Sequence, residues 1–384
     1  MKIVIFGIDG YLGWPLALRL AARGHDVIGV DNYSTRRGVE EVGSWSALPI
    51  GTMEERLRAA KEVMGVDISF IEGDVTDYGV VKKVMQEKPD AVVHFAEQKS
   101  APYSMMDLDH AKYTFTNNII GTLNIVYAAR DLSPRTHILK MGTLGEYGTP
   151  NFDIPETAMV KAIIGDREDE IVVPRWAGSW YHWSKVYDSY NLMYANKLWG
   201  LTVTDIHQGP VYGTRTPEII DERLFTRFDF DDVWGTVINR YCAQAVIGHP
   251  LTVYGSGKQI RGFISLEDSI DSIYLLLTHP PEEGEYRVVH QYREAHSVIE
   301  IAHIVRNAAA ELGMEVSIDH IQNPRAEKEE HYYNPIRRVL PSLGMFGLRK
   351  DFRSEVKVML QDIIPYRHRI EEKRSIIMPR VRWR

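Results

Sequence analysis

Cysteine, net positive charge and long apolar runs are what this sequence has little of. The 384 residues include one cysteine, Cys242, which excludes a disulfide bond within the chain and favours an intracellular, cytoplasmic protein. The formal net charge of -7 argues against nucleic acid or an acidic membrane as a partner, although a local basic pocket for a small anion is compatible with it. Charged residues interrupt the apolar runs, so we expect no membrane-spanning segment.

The sequence does contain enough apolar residues for a large core. With 44% hydrophobic and 25% charged residues, a chain of this length is expected to be globular and to divide into two domains. Residues 2–6 follow Met1 directly and predict a buried strand, so we expect no targeting segment. We also expect no metal.

Short β-rich runs alternate with longer helical runs through the first half of the chain. This alternation predicts an α/β fold with a parallel, doubly wound sheet. A helix is also predicted to begin at Thr52, where Glu55 completes a capping box. The predicted strands are residues 2–6, 26–30, 68–72, 91–95, 137–141 and 202–207.

A glycine-rich turn connects the first predicted strand to the first predicted helix. Gly7, Gly10 and Gly13 allow a tight turn, close approach of a pyrophosphate, and a helix N-terminus directed at its charge. The second strand ends in Asp31, whose carboxylate suits the ribose hydroxyls of NAD and repels the 2′-phosphate of NADP.

Two neighbouring features also bear on the cofactor. Arg36 and Arg37 lie close to Asp31 in sequence, and an arginine there accommodates the 2′-phosphate of NADP, which remains the alternative to NAD. Asp74 follows the third strand in Gly73-Asp74-Val75, which places it either near the adenine or in a solvated turn.

Tyr181 and Lys185 lie four residues apart in a segment that predicts a helix. Residues at i and i+4 share one helical face, and a lysine ammonium near a phenol lowers the pKa of that phenol. Tyr181 is therefore a candidate acid/base and Lys185 its activator. The same spacing occurs in ordinary amphipathic helices, so this interpretation depends on the rest of the chain.

The order of these motifs resembles the extended short-chain dehydrogenase/reductase family that acts on nucleotide sugars. The resemblance is carried by the glycine-rich turn, Asp31, Gly73-Asp74-Val75, Asn118-Ile-Ile-Gly121-Thr122, Thr143 and Tyr181-x-x-x-Lys185. It implies a Rossmann fold with a smaller substrate-binding domain, an NAD cofactor and a nucleotide-sugar substrate.

Later segments resemble the part of this family that holds the nucleotide. Arg261 matches the arginine that binds the diphosphate, although Gly262 stands where an aspartate is usual. Arg325 and Glu327 match a pair near the nucleotide ribose. An arginine fork contacts phosphate in a bidentate manner, which explains the residue type.

Within the family the sequence is most similar to members that join sulfite to UDP-glucose. Lys99 stands where arginine is expected, which keeps the charge but loses the planar fork, and Pro210 replaces a small aliphatic residue. Neither change removes a catalytic group. The similarity is carried by residues 96–105, 142–148, 181–185, 208–213, 234–255, 323–327 and 331–334.

That resemblance implies a 4-keto sugar intermediate and an NAD that ends oxidised, as it began. Tyr181 would accept the proton of the glucose 4-hydroxyl directly or through Thr143, after which water leaves carbon 6 and sulfite adds. The residues expected to hold NAD are Gly7, Asp9, Gly10, Tyr11, Leu12, Gly13, Asp31, Asn32, Tyr33, Ser34, Arg36, Asp74, Val75, Asn118, Tyr181, Lys185, Gln208 and Val211. Those expected to hold the substrate are Gln98, Lys99, Thr143, Gln208, Thr236, Arg240, Val253, Arg261, Arg325 and Glu327.

The base for the carbon 5 proton is not obvious. The 4,6-dehydratases of this family carry an Asp-Glu pair after the active-site threonine, and here those positions are Leu144 and Gly145. His182 projects about 100° around the helix from Tyr181, which makes it the candidate base and, once protonated, a group to hold sulfite. Glu146 is the competing base.

Two other functions are compatible with parts of this pattern. A UDP-glucose 4-epimerase needs no carboxylate pair and is the alternative reaction. A non-catalytic dinucleotide-binding or RNA-binding relative on the same fold is the alternative of another class. Neither the later use of the sulfosugar, in a lipid or a protein glycan, nor the source of sulfite is encoded in these residues.

The resemblance also predicts how the chain is organised. An NAD-binding domain is expected over residues 1–209, with 263–278 returning to it, and a discontinuous UDP-sugar-binding domain in the rest of 210–384. The helices near 111–130 and 181–198 are expected to form a homodimer through a four-helix contact. The basic segment 366–384 is expected to be a solvated end or an arm on a neighbouring subunit.

Overall fold

The computed structural model describes residues 1–345 and 351–383. Its strands are β1 (Lys2–Phe6), β2 (Asp26–Asp31), β3 (Ser69–Glu72), β4 (Ala91–His94), β5 (His137–Thr143), β6 (Met159–Ile164), β7 (Arg167–Val172), β8 (Val203–Gln208), β9 (Val211–Tyr212), β10 (Leu251–Tyr254), β11 (Ile260–Ser265), β12 (Tyr286–Gln291), β13 (Glu294–Ser297) and β14 (Ile318–Ile321). In this described part of the chain, seven strands form one parallel sheet in the order β12-β8-β5-β4-β1-β2-β3.

Helices cover both faces of this sheet. The predicted capping box at Thr52 is present, with the Thr52 hydroxyl accepting from the Glu55 amide and the Glu55 carboxylate accepting from the Thr52 amide. The helices are α1 (Gly13–Ala22), α2 (Ser34–Glu41), α3 (Met53–Met64), α4 (Tyr78–Met85), α5 (Ala101–Ser104), α6 (Leu108–Phe115), α7 (Gly121–Leu132), α8 (Trp180–Trp199), α9 (Val237–Val246), α10 (Leu266–Thr278), α11 (Val298–Glu311), α12 (Val339–Ser342), α13 (Phe352–Ile363) and α14 (Arg367–Glu371).

The apolar run of β1 shows why the sheet forms. Successive side chains of a strand point to opposite faces, so Ile3 and Ile5 join one apolar cluster while Val4 and Phe6 join another. Helices pack over both clusters, which is why the parallel strands are apolar at nearly every position rather than at alternate ones. The predicted doubly wound α/β fold is confirmed, and all six predicted strands are present.

The seventh strand of the sheet was not predicted. β12 pairs in parallel with β8 along its whole length, from Tyr286 opposite Val203 to Gln291 opposite Gln208. β12 is therefore the edge strand of the sheet, next to β8 and then β5. Outside the sheet, β9, β11 and β13 form a three-stranded sheet, β10 pairs with β14, and β6 with β7 forms a hairpin.

The basic C-terminal segment packs on its own chain, so the prediction of a solvated end is wrong, while its contact with a neighbouring subunit stays a prediction. Its apolar residues Ile370 and Ile377 are buried. Arg380 donates to the Asp232 carboxylate at 2.7 Å, and the Trp383 amide donates to the carbonyl of Pro324 at 3.0 Å. Among residues 1–345 and 351–383, no helix is both long and apolar enough to cross a membrane.

Candidate active site

The glycine-rich turn lies at the carboxyl end of β1 and opens onto a narrow crevice. Gly7 has a φ of 92°, and a Cβ there would come within 2.6 Å of the Phe95 carbonyl carbon after β4. A Cβ on Gly13 would collide with the Gly7 carbonyl, so the N-terminus of α1 packs directly on the turn. The crevice is lined by Phe6, Gly7, Asp9, Gly10, Val30, Asp31, Asn32, Ser34, Thr35, Gly73, Val75, Phe95, Ala96, Glu97 and Asn117.

Asp31 stands at the end of β2 with its carboxylate facing this crevice. Its two oxygens accept from the amides of Asp9 and Tyr33, both at 2.8 Å. Burial and the Asp9 charge raise the pKa of Asp31 to about 6. The Asn32 amide donates to Asp74 at 2.7 Å and so joins the ends of β2 and β3.

Arginine side chains surround the carboxylate of Asp9 in the glycine-rich turn. Arg36 donates to it from Nε and Nη2 at 2.7 and 2.6 Å, and the buried Arg56 donates from Nη1 at 2.9 Å. Arg37 donates to a backbone carbonyl at 2.6 Å. Because Arg36 is paired with Asp9, that arginine is not free to take a 2′-phosphate, which favours NAD over NADP.

Lys185 lies on α8 and reaches back beneath the end of β5. Its ammonium contacts the Glu97 carboxylate and donates to the carbonyl of Met141. Burial lowers the pKa of Lys185 to about 8, against the opposing charge of Asp188. The ammonium of Lys185 therefore lies on the side of the site that faces the crevice.

Tyr181 differs from its prediction in one respect. Burial, followed by the charges of Glu146 and Asp188, raises the pKa of Tyr181 rather than lowering it. The expected lowering of the Tyr181 pKa by Lys185 is therefore not found, and the Lys185 ammonium is paired with Glu97. Within residues 1–345 and 351–383 the Tyr181 hydroxyl makes no hydrogen bond, which leaves it free for a ligand.

Thr143 ends β5 and begins the short loop that faces α8. Its hydroxyl accepts from the Gly145 amide at 3.1 Å, and its own amide donates to the Glu146 carboxylate at 3.1 Å. This reciprocal cap holds the loop and presents Thr143 at the carboxyl edge of the sheet. Open α/β sheets bind their ligands at that edge.

Glu146 points away from the cleft into a buried ionic cluster. Its carboxylate accepts from Ser189 at 2.9 Å, lies 3.2 Å from the Lys140 ammonium and contacts Arg175. Burial alone would lower the pKa of Lys140, but the neighbouring carboxylates outweigh it and raise that pKa. The members of this sealed cluster, all fully buried, are Lys140, Glu146, Arg175, Asp205 and His207.

His182 occupies the space that a side chain at position 145 would need. A Cβ on Gly145 would overlap the His182 ring, so glycine is required there for the imidazole to approach the loop. The ring is held by Ser179, whose Oγ lies 2.8 Å from Nδ1. Burial, followed by the charges of Arg325 and Arg261, lowers the pKa of His182 to about 3, so the ring is neutral at pH 7.

The predicted nucleotide-binding residues lie together and close enough to His182 to affect its pKa. Arg261 donates to Glu327 at 2.6 Å and contacts His331 at 3.0 Å. The Arg325 guanidinium lies over the Trp383 ring, 5.5 Å from its centroid, so the C-terminal segment supports this arginine. Two arginines near a neutral histidine form a cationic wall suited to a diphosphate.

Some predicted ligand-binding side chains are bonded within the chain instead. The Gln98 amide donates to the Ser100 carbonyl at 2.9 Å and to Thr114 at 2.8 Å. The Asn118 amide donates to the Gln98 carbonyl at 3.1 Å and to Ser184 at 2.9 Å. These two residues connect the loop after β4 to α8, and the crevice is lined by Asn117 rather than Asn118.

The remaining predicted residues near the second half of the chain are also tied inward. Gln208 donates to a serine of α10 at 2.9 Å, Thr236 caps α9, and Val253 is buried in β10. Arg240 is buried and donates to the Thr252 carbonyl at 3.3 Å. Their side chains therefore lie inside the wall that carries the ligand-facing groups.

Tyr11 and Lys99 lie at the rim of the cofactor side. The Tyr11 hydroxyl donates to the carbonyl of Gly213 at 2.6 Å. The Lys99 side chain is 39% exposed, with its ammonium 3.5 Å from Asp229. Of the other residues predicted for NAD, Leu12 and Gly13 lie at the N-terminus of α1, Tyr33 before α2, and Val211 in β9.

Sequence reasoning missed Glu97, Arg56 and Trp383. Glu97 had a signal, because it is a charged residue directly after the apolar run that forms β4. Arg56 lies in α3 and Trp383 in the tail, far in sequence from the groups they contact, so nothing local identified them. The residues that line the crevice fit NAD, since Asp31 supplies acceptors for ribose hydroxyls and the glycine turn admits a pyrophosphate.

The chain matches one protein family and has relatives that are similar along its whole length. The family described as "NAD dependent epimerase/dehydratase family" matches residues 3–290. The chain is 59% identical to UDP-sulfoquinovose synthase of Sulfolobus acidocaldarius over 100% of this chain and 98% of that protein. It is 41% identical to the chloroplastic UDP-sulfoquinovose synthase of Spinacia oleracea over 100% of this chain and 79% of that protein.

A solved structure agrees at the level of the fold. The UDP-glucose 4-epimerase of Thermus thermophilus in complex with NAD superposes with a TM-score of 0.67 and 21% identity, covering 94% of this chain and 99% of that chain.

Proposed function

The chain belongs to the NAD dependent epimerase/dehydratase family, and we infer that within it the chain acts as a UDP-sulfoquinovose synthase, converting UDP-glucose and sulfite to UDP-sulfoquinovose and water. The observation that carries this inference is the similarity to two such synthases along the whole chain. Its similarity to 4-epimerases is that of distant relatives with the same fold.

We propose that NAD is held by the glycine-rich turn, Asp31 and Lys185. When bound, NAD supplies a hydride acceptor for carbon 4 of glucose and later returns the hydride to the sugar. Asp31 accepts hydrogen bonds from ribose hydroxyls, and the N-terminus of α1 faces the pyrophosphate. Arg36 and Arg56 hold the turn in shape by bonding Asp9.

Tyr181 takes the proton of the 4-hydroxyl, either directly or through Thr143. Burial raises the pKa of Tyr181, so proton transfer requires a cation close to the phenol. Lys185 is the nearest lysine on its helical face, and movement of its ammonium away from Glu97 toward Tyr181 supplies that charge. Thr143 both donates and accepts, as a relay requires.

His182 takes the carbon 5 proton that the 4-ketone acidifies. In place of the dehydratase Asp-Glu pair, Leu144 is buried and Gly145 leaves room for the imidazole. Binding of a diphosphate offsets the charges of Arg261 and Arg325 that lower the pKa of His182, so the ring becomes a stronger base once substrate is bound. The protonated ring then faces the anionic sulfite.

Glu146 serves the reaction as a positioning residue rather than as a base. Its carboxylate is fully buried and has Lys140, Arg175 and Ser189 as partners. A proton taken by that carboxylate would leave Arg175 without its carboxylate partner and Lys140 with Asp205 alone.

The nucleotide part of the substrate lies against Arg261, Arg325 and Glu327. We assign residues 1–209 and 263–278 to the NAD-binding domain and the rest of 210–384 to the UDP-sugar-binding domain, with β12 added to the first. Lys99 lies at the rim, where its partly exposed ammonium is available to an anion.

We also propose that the protein is a cytoplasmic homodimer. Helices α6 to α8 expose a row of large apolar side chains, which a second copy would cover in a four-helix contact. The sole cysteine is buried, in keeping with a compartment without disulfide formation. The exposed residues of this row are Tyr113, Ile120, Tyr127, Tyr187, Tyr194 and Leu198.

The test is to incubate purified protein with UDP-glucose and sulfite and to follow the nucleotide sugar by mass spectrometry. We expect a UDP-sulfosugar and no net accumulation of NADH, because the hydride returns to the sugar. UDP-galactose as the sole product would falsify the synthase function in favour of an epimerase.

A further inference from the structure

Glu97 is a buried carboxylate at the edge of the NAD crevice that no step described above requires. It lies three residues beyond the end of β4, and its side chain is 4% exposed. Burial of an ionised carboxylate is unfavourable unless charges and hydrogen-bond donors compensate it. The surroundings of its two oxygens therefore indicate what the group is for.

One carboxylate oxygen is compensated and the other is not. Oε2 contacts the Lys185 ammonium. Oε1 is buried, has no hydrogen-bond partner within residues 1–345 and 351–383, and lies 3.5 Å from His94 Nε2. Burial lowers the pKa of His94 well below its ordinary range, so that ring carries no compensating charge. A buried acceptor without a hydrogen-bond partner thus lies beside Lys185, on a residue that lines the crevice.

The position of Glu97 indicates which kind of hydrogen-bond donor would bind the unpaired Oε1. Glu97 lines the same crevice as Gly7, Asp31 and Ala96, where the dinucleotide is held. The donors that a dinucleotide offers to a carboxylate are its ribose hydroxyls and its amide, and Asp31 already serves the ribose at the far end of the crevice. Glu97, beside Lys185, faces the opposite end.

We propose that Glu97 is a cofactor-positioning residue that accepts a hydrogen bond from the nicotinamide ribose through Oε1 while Oε2 holds the Lys185 ammonium beside it. This inference rests on the proposed NAD site but not on the sulfite reaction.

The test compares Glu97→Gln with the wild-type protein and with Asp188→Asn. Asp188 is a matched control because it is also buried and also acts on Lys185 by charge, yet does not line the crevice. NAD affinity is measured by titration calorimetry on cofactor-stripped protein, and NAD content is measured on protein as purified. Folding of each variant is checked by thermal unfolding.

Glu97→Gln is expected to lose at least about tenfold in NAD affinity, the scale of one hydrogen bond to a charged group, while Asp188→Asn binds NAD as the wild type does. Wild-type affinity in Glu97→Gln would overturn the proposal, as would a loss of the same size in Asp188→Asn. Should Glu97→Gln fail to fold, Glu97→Asp keeps the charge but withdraws it by one methylene, and wild-type NAD affinity in that variant would also overturn it. NAD binding is measured without sulfite, so a failed synthase reaction leaves this test intact.

Discussion

Lys140 and Lys185 are two buried lysines near the end of β5, and the charges around their ammonium groups differ. Lys140 belongs to the sealed cluster, where Glu146 and Asp205 lie 3.2 and 3.1 Å from its ammonium and raise its pKa. Lys185 belongs to a second region, the catalytic face, which we define as Glu97, Thr143, Tyr181, His182 and Lys185. Burial dominates there and lowers the pKa of Lys185 to about 8. The surroundings thus favour the charged form of Lys140 and disfavour the charged form of Lys185.

The difference shows which groups are available for chemistry. In the sealed cluster each charge has an opposite charge within the chain. On the catalytic face, Tyr181 has no hydrogen-bond partner among the described residues and Glu97 leaves one oxygen vacant. We expect the unpartnered groups of the catalytic face, rather than those of the sealed cluster such as Asp205 Oδ1, to be the ones that meet a cofactor or substrate.

Removing the phenol of Tyr181 should produce the largest effect on the catalytic face. Tyr181→Phe is expected to lower kcat by about a thousandfold, within the range of a positioned proton-transfer group, because no other described hydroxyl replaces it. The thermal midpoint should stay close to that of the wild type, since the hydroxyl has no partner in the chain. A retained kcat, measured by product formation, would remove Tyr181 from the mechanism.

Breaking the sealed cluster should act on stability instead. Glu146→Gln leaves the charges of Lys140 and Arg175 without their carboxylate, so we expect the free energy of unfolding to fall by about 3 kcal/mol. Denaturant titration measures this change, and NAD affinity should be retained. Unchanged stability together with a lost carbon 5 exchange would show that Glu146 belongs to the catalytic face.

A pH titration of NAD binding tests the cofactor end of the comparison. The pKa of Asp31 is raised to about 6, so the carboxylate is ionised above that pH and becomes protonated as the pH falls through it. Protonation removes an acceptor for the ribose hydroxyls, and NAD affinity should fall about tenfold between pH 7 and pH 5. Asp31→Asn should bind weakly with no such dependence. The same dependence in that variant would assign the titration to another group.

Removing Trp383 should give the smallest effect. Trp383→Ala takes away the ring beneath Arg325, so the KM for UDP-glucose should rise about threefold, the size of an exposed cation–π contact, with kcat unchanged. Trp176→Ala is the control, because that side chain is 80% exposed and its ring contact is with Trp183 rather than with Arg325. An equal change in both variants would remove the tail from the nucleotide site.

The cofactor end was predictable because its determinants are local. The glycine turn and Asp31 belong to one strand-helix-strand unit, and their roles follow from backbone geometry at the end of a parallel strand. The pairing of Arg36 and Arg56 with Asp9 was not predictable, since it depends on how residues outside that unit fold back onto it.

Glu97 shows why the catalytic face was harder to predict. Sequence reasoning selected its neighbour Gln98, yet neighbouring residues after a strand point in opposite directions, and nothing local showed which one faces the crevice. Gln98 bonds Ser100 and Thr114, whereas Glu97 reaches Lys185. That contact joins residues far apart in the sequence.

The assignment of the carbon 5 base tests the central claim most directly, because its two candidates lie in the two regions. The measurement is exchange of the carbon 5 hydrogen of UDP-glucose in heavy water without sulfite, followed by mass spectrometry in wild type, His182→Gln and Glu146→Gln. The account predicts that exchange stops in His182→Gln and continues in folded Glu146→Gln. Continued exchange in His182→Gln together with its loss in Glu146→Gln would contradict the account.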